Sequence, residues 1–177
     1  MHVLICPDKF KGSLSAKRVA AAMANGLPLG TTHTILPLAD GGEGSLEVVA
    51  SLLSGDWVNV HVQNPLFETI SSSYYLSGSQ AFIEMARASG LALIRPSKRK
   101  TIETSTFGTG ELIQDALQKG AKEIFLFVGG SATTDGGIGM AAALGFQFLD
   151  QDGNVLLPIG RNLPSIHQII SPTTTFE

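Results

Sequence analysis

The stretch Phe125-Leu126-Phe127-Val128-Gly129-Gly130-Ser131-Ala132-Thr133-Thr134-Asp135-Gly136-Gly137-Ile138-Gly139 constrains the fold more than any other part of the chain. Apolar residues of strand character run straight into a loop of glycines, small hydroxyls and one acid. An alanine-rich helical pattern follows, from Met140 to Leu144. This order predicts a buried strand that empties into a helix start. Backbone N–H groups point outward there and the helix dipole favours negative charge, so the loop is a place to hold an anion. Paired glycines remove the side chains that would keep a phosphate away from the backbone.

The arrangement occurs twice more. Val3-Leu4-Ile5-Cys6 precedes Pro7-Asp8-Lys9-Phe10-Lys11-Gly12-Ser13, and Ile35-Leu36-Pro37-Leu38 precedes Ala39-Asp40-Gly41-Gly42-Glu43-Gly44; a helical pattern follows each. Polar loops at strand C-termini build the ligand sites of open α/β sheets. The expected class is therefore α/β, with helices at 13–27 (capped by Ser13 or Ser15), 44–54, 111–119 and 138–144, and strands at 3–6, 34–38 and 123–128. Between 57 and 100 the texture changes. Trp57 to Val62 alternates, Thr69 to Leu76 is rich in Ser and Tyr, and Gln80 to Glu84 is a further short strand. This predicts an antiparallel meander, either a smaller mixed lobe or an extension of the main sheet, with 1–56 and 101–177 forming the principal domain around it. Asp150-Gln151-Asp152-Gly153-Asn154 predicts a hairpin turn. Ile166 to Ile170 is apolar and the chain then trails off from Ser171, with no closing helix or strand expected.

Composition narrows the function. The chain has 177 residues, 44% of them hydrophobic and 20 of them glycine, which suits a globular protein with many tight loops. Only 15% are charged and the net charge is −3, so no general attraction to nucleic acid or to an anionic membrane is expected. The single cysteine, Cys6, cannot form an intrachain disulfide and lies in the first strand pattern. Met1-His2-Val3-Leu4 opens directly into a strand without a basic or long apolar leader, so the expected location is cytoplasmic. The four histidines are scattered, which argues against a zinc site or a Ser/His/Asp triad.

Three clusters carry the candidate chemistry. Asp8, Lys9 and Lys11 lie beside the first helix start, where two lysines suit phosphate or carboxylate capture. Asp40 and Glu43 stand among Gly41, Gly42 and Gly44. One or two such acids suffice for Mg²⁺, which keeps several of its waters. Ser131, Thr133, Thr134 and Asp135 lie between the pairs Gly129-Gly130 and Gly136-Gly137. Their hydroxyls can reach phosphate oxygens, and Asp135 can act as base or Mg²⁺ ligand, although Thr-Thr-Asp is also a good helix cap. Phe107-Gly108-Thr109-Gly110-Glu111 holds a G-x-G without the further glycine of a dinucleotide fingerprint, and no Walker A pattern is present. Glu84 and Arg87 fit a surface ion pair as well as a substrate contact.

Taken together, these motifs resemble those of the bacterial glycerate kinases, the type that includes the glycerate 2-kinases. The resemblance rests on Pro7-Asp8-Lys9-Phe10-Lys11-Gly12-Ser13-Leu14-Ser15, Ala39-Asp40-Gly41-Gly42-Glu43-Gly44, Ile83-Glu84-Met85-Ala86-Arg87-Ala88-Ser89-Gly90-Leu91, Thr106-Phe107-Gly108-Thr109-Gly110-Glu111-Leu112-Ile113 and Gly129-Gly130-Ser131-Ala132-Thr133-Thr134-Asp135-Gly136-Gly137, which follow one another in order along nearly the whole chain. Lys9 stands where a serine is common in that family, and Thr134 where an asparagine is common. The resemblance implies ATP-dependent phosphorylation of D-glycerate with Mg²⁺. It also implies a Rossmann- or flavodoxin-like domain beside a mixed one, the site lying in the cleft between them. In that reading Asp40, Asp135 and Lys9 are catalytic, and Asp40 and Asp135 hold the metal. Asp8, Lys11, Gly41, Gly42, Glu43, Gly108, Gly110, Gly129, Gly130, Ser131, Thr133 and Thr134 bind substrate or phosphate. Family members are considerably longer, so the chain is expected to correspond to an amino-terminal half. A non-catalytic nucleotide- or anion-binding module is the alternative, and a homodimer is one possible assembly.

Overall fold

The computed structural model describes residues 1–8, 10 and 13–173. The chain runs β1 (His2–Ile5), α1 (Ala16–Asn25), β2 (Thr32–Ile35), α2 (Ser45–Leu52), β3 (Asp56–Gln63), β4 (Thr69–Ser77), β5 (Gln80–Glu84), α3 (Ala86–Ser89), α4 (Phe107–Gln118), β6 (Glu123–Phe127), α5 (Ile138–Ala143), β7 (Gln147–Leu149) and β8 (Gln168–Ile170). It is a mixed α/β protein, as its strand–loop–helix units predict.

The main sheet has the order β3-β4-β5-β6. β3 and β4 pair antiparallel from Asp56 opposite Leu76 to Gln63 opposite Thr69, and β4 turns back into β5. β5 and β6 are parallel, with Ile83 opposite Leu126 and Glu84 opposite Phe127. The meander and the strand before the long glycine loop thus belong to one sheet, and the pairing crosses residue 100. The connection from β5 to β6 runs through α4, the helical crossover that a parallel pair requires.

Both faces of this sheet are covered. On one, Val62, Tyr74, Ala81 and Ile83 pack with Ala88 of α3 and with Leu112, Ile113 and Ala116 of α4. On the other, Tyr75 and Phe82 pack with Leu46, and Val49 and Ala50 continue that stripe along α2. The apolar side of α2 therefore lies on the strands that follow it, not on the strand that precedes it. Burying a leucine as fully as Leu46, which is 0% exposed, favours the fold by about 1.5–3 kcal/mol.

β1 and β2 form a separate two-stranded parallel sheet, Ile5 opposite Ile35. Ser15 caps α1 by accepting from the Arg18 amide, and Val19 and Ala20 form its buried side. β2 ends at Ile35 rather than at 38. Pro37 has no N–H for a ladder, although Leu36 and Leu38 still donate to Ile5 and Pro7 (2.9 and 3.0 Å).

Two local expectations are corrected. α4 begins at Phe107, a full turn before the expected Glu111. The Thr106 amide at its start finds an acceptor in Asp135, 29 residues later (2.7 Å), which no local pattern reveals. The chain also has a closing strand: β8 pairs antiparallel with β7, with Phe148 opposite Ile169. The Asp150–Asn154 turn forms, with the Asp150 amide donating to the Asn154 carbonyl (3.0 Å). Beyond it, Val155 makes only an isolated bridge with Leu149.

Candidate functional site

Three loops that follow strands meet through their backbones. After β1, the Pro7 carbonyl accepts from the Leu38 amide (3.0 Å), which sets Asp8 beside the segment leading to Asp40. After β2, the Gly41 carbonyl accepts from the Gly129 amide (2.8 Å), which joins the acid–glycine loop to the glycine loop after β6. A Cβ on Gly129 would lie 2.5 Å from Gly42 Cα, so the contact needs glycine at that position. A fourth segment, after β5, is laced to the same loop: Leu91 donates to Gly130 (3.0 Å) and Ala132 to Ser89 (2.9 Å).

Within this cluster Asp40 and Glu43 are exposed. Asp40 Oδ1 accepts from the Gly42 amide (2.8 Å), an Asx turn that fixes the carboxylate over the bare loop. Ser131 and Thr134 are exposed and Thr133 is half-buried. Ser131 Oγ and Thr133 Oγ1 lie 2.9 Å apart, and Thr134 Oγ1 donates to the Thr101 carbonyl (3.1 Å). Gly41, Gly42, Gly129 and Gly130 form the strip between these groups. Lys9 and Lys11 lie outside the described residues.

Asp135 is placed differently from its expected role. It is 1% exposed. Its Oδ2 accepts from the Thr106 amide (2.7 Å), the Thr106 hydroxyl (2.8 Å) and the Gly139 amide (3.1 Å), and its Oδ1 from the Gly137 amide (3.3 Å). Thr106 Oγ1 in turn accepts from the Met140 amide (2.8 Å). With four donors on its two oxygens, Asp135 binds the starts of α4 and α5 together. In this arrangement it acts as a clamp between the two helix starts.

Gly108 and Gly110 are likewise inside α4 and buried. A Cβ on Gly108 would fall 1.8 Å from the Gln63 carbonyl oxygen, and one on Gly110 would fall 2.4 Å from that of Met140. These glycines let α4 press against the end of β3 and against α5.

Sequence reasoning missed Thr106, although Thr104-Ser105-Thr106, three successive hydroxyl residues before an apolar helix, was a legible signal. All three are buried. Arg87 does form an ion pair, but with a partner other than Glu84. Arg87 pairs with Glu47 of α2 and lies 5.0 Å over the Trp57 ring. Glu84 is buried, and its carboxylate accepts from the Gly44 and Leu46 amides at the start of α2. Burial pushes the Glu84 carboxyl above its usual range, against the opposing pull of the Leu46 amide, the Arg87 charge and the Gly44 amide.

Among the described residues no three His, Cys, Asp or Glu side chains gather as a ready metal cage. Mg²⁺ does not need one. It commonly takes one or two carboxylates and completes its shell with water and phosphate oxygens. Asp40 and Glu43, exposed on the glycine strip, fit that donor set; Asp135 does not.

A family model described as the Glycerate kinase family matches residues 3–175. The chain belongs to the glycerate kinase family. It is 44% identical over 165 residues to a glycerate kinase of Halalkalibacterium halodurans, covering 90% of this chain and 42% of that relative. It is 42% identical over 174 residues to the glycerate 2-kinase of Escherichia coli (strain K12), covering 96% of this chain and 46% of that one. A crystal structure from Salmonella typhimurium LT2, described as a glycerate kinase 2, superposes with a TM-score of 0.80 at 43% identity, over 96% of this chain and 46% of that one. This family member thus spans about half the length of the curated relatives it matches.

Proposed function

We propose that the chain supplies one wall of a site for the phosphorylation of D-glycerate by ATP, assisted by Mg²⁺, giving 2-phosphoglycerate. The observation that carries this reading is the meeting of the three loops: Pro7 bonded to Leu38, and Gly41 bonded to Gly129. Loops that share one edge can grip two small anionic ligands at once. Membership of the glycerate kinase family supports the substrate. The reading places the chain in the cytoplasm, where ATP is available.

Phosphoryl transfer asks the protein mainly to position its reactants and to spread charge. Asp40, held by its Asx turn, orients the glycerate hydroxyl, whose proton passes to solvent as the new O–P bond forms. Ser131 and Thr133 reach phosphate oxygens. Lys9 and Lys11, which the sequence places just after Asp8, bring positive charge to the substrate carboxylate or the phosphates. Mg²⁺, when bound through Asp40 and Glu43 with nucleotide phosphates, would neutralise charge that builds on the transferred group.

The test is an ADP-release assay with D-glycerate, run on the 177-residue chain and on a longer chain that contains it, with ³¹P spectra to separate the 2- from the 3-phosphate. Glycerate-dependent ADP release with the 2-phosphate as product supports the proposal. No release from either chain sinks it. The coverage of under half of each relative favours one further reading: the 177 residues alone bind ligand without turning it over. Calorimetric binding of ATP or glycerate without ADP formation would identify that case.

A further inference from the structure

Glu84 is the last residue of β5 and is 1% exposed. An isolated carboxylate buried this deeply is costly, so its partners show what it is for. Its two oxygens each lie 3.1 Å from the Gly44 amide, and Oε2 lies 3.3 Å from the Leu46 amide. The start of α2, which the sequence offers as a place for an external anion, is therefore filled by an internal one.

The consequence is mechanical. The loop from Asp40 to Gly44 is fastened near each end: Gly41 accepts from Gly129, and Gly44 donates to Glu84. Between and beside these fastenings stand the exposed carboxylates of Asp40 and Glu43. β5 and β6 are adjacent and parallel, so the two fastenings come from neighbouring strands of one sheet. Arg87 keeps its ion pair with Glu47, and among the described residues the hydrogen-bond donors to the Glu84 carboxylate are the Gly44 and Leu46 amides. We propose that Glu84 is a positioning residue of this site: its buried carboxylate holds the Asp40–Gly44 loop in the one placement from which Asp40 meets the substrate. The proposal rests on the phosphoryl-transfer reading. The role of Glu84 runs through the loop: the partners of its carboxylate are backbone amides.

The discriminating variant is Glu84→Gln. It keeps the volume but sets an NH₂ group against backbone N–H donors. Glu84→Asp keeps the charge one methylene short, and serves where the glutamine variant does not fold. Tyr74→Phe is the control, because it breaks the bond from Tyr74 to Asp115 (2.8 Å) on the α4 side of the sheet, away from the loop. Three quantities are measured on the 177-residue chain: the Kd values for D-glycerate and for MgATP, the amide exchange rates, and Tm.

In Glu84→Gln, binding should weaken about tenfold or more, with faster exchange at Gly44 and Leu46 and unchanged exchange along α4. Tyr74→Phe should lower Tm yet leave Kd within about twofold. The proposal is overturned if Glu84→Gln binds as the parent does, or if Tyr74→Phe weakens binding equally at a matched loss of Tm. If the 177-residue chain binds neither ligand, the Kd comparison is made on the longer chain that contains it, where failure to bind sinks the kinase reading; the exchange rates still decide whether Glu84 holds the loop: unchanged rates at Gly44 and Leu46 overturn it.

Discussion

Asp135 and Asp40 show how much a single carboxylate's role depends on its donors. Both follow a strand and sit beside paired glycines, yet Asp135 spends both oxygens on two helix starts, while Asp40 stays exposed with its turn bond to Gly42. Their substitutions should separate accordingly. Asp135→Ala leaves buried N–H and O–H groups without an acceptor, a loss of about 1–3 kcal/mol or more, visible as a lower urea midpoint. Asp135→Asn can keep its oxygen at the Oδ2 position and should lose less. Asp40→Ala should change the unfolding free energy from urea melts by no more than about 0.5 kcal/mol while removing glycerate-dependent ADP release. An unchanged midpoint in Asp135→Ala would remove the clamp.

Elements explain why some of this was legible and some was not. β5 was readable to the residue because Ala81, Phe82 and Ile83, buried on both faces, give an uninterrupted apolar run between turn signals. The meeting of the loops was readable from three strand–glycine–helix repeats. The start of α4 was not, because its partner Asp135 is remote in sequence. The close packing at Gly108 and Gly110 was hidden for a related reason: a glycine that admits a phosphate and one that admits a neighbouring backbone look alike in sequence. The two roles predict opposite results for Gly108→Ala. In an open helix the change gains about 0.5–1 kcal/mol. Here the new Cβ would fall 1.8 Å from the Gln63 carbonyl oxygen, so the variant should be destabilised, by about 1–3 kcal/mol for an overpacked site. A gain in Tm would return Gly108 to the ligand loop. Strand β4 and helix α4 are also joined by Tyr74 and Asp115. Burial, then the hydrogen bond to Asp115 and its charge, push the Tyr74 hydroxyl well above its usual range near 10. Its contribution is complete below the unfolded value and is lost as pH rises past it, since the folded state keeps a proton that the unfolded state gives up. Urea midpoints should therefore fall above about pH 10 in the parent and fall less in Tyr74→Phe. Equal pH slopes in the two proteins would refute that link.

Across the whole molecule, stability is unevenly spread, and the site straddles the unevenness. The β3-β4-β5-β6 sheet is covered on both faces. The β1–β2 pair is not: Leu4 is 59% exposed and Ile35 41%, although parallel strands are ordinarily buried on both sides and a two-stranded sheet is marginal by itself. Amides of β1 and β2 should thus exchange with solvent orders of magnitude faster than those of β5 and β6, because local opening of such a unit costs far less than global unfolding. The link between Pro7 and Leu38 lies in the weaker unit, and the link between Gly41 and Gly129 ties it to the stronger one. A ligand gripped by both must therefore hold the weak unit closed. At about a hundred times its Kd, it stabilises the closed form by about 2.7 kcal/mol, which slows β1–β2 exchange by about a hundredfold if opening of that unit releases the ligand. Exchange measured with and without MgATP and D-glycerate checks this amide by amide. Slower exchange confined to β5 and β6, with β1 and β2 unaffected, would show that the ligands do not bridge the loops after β1, β2 and β6.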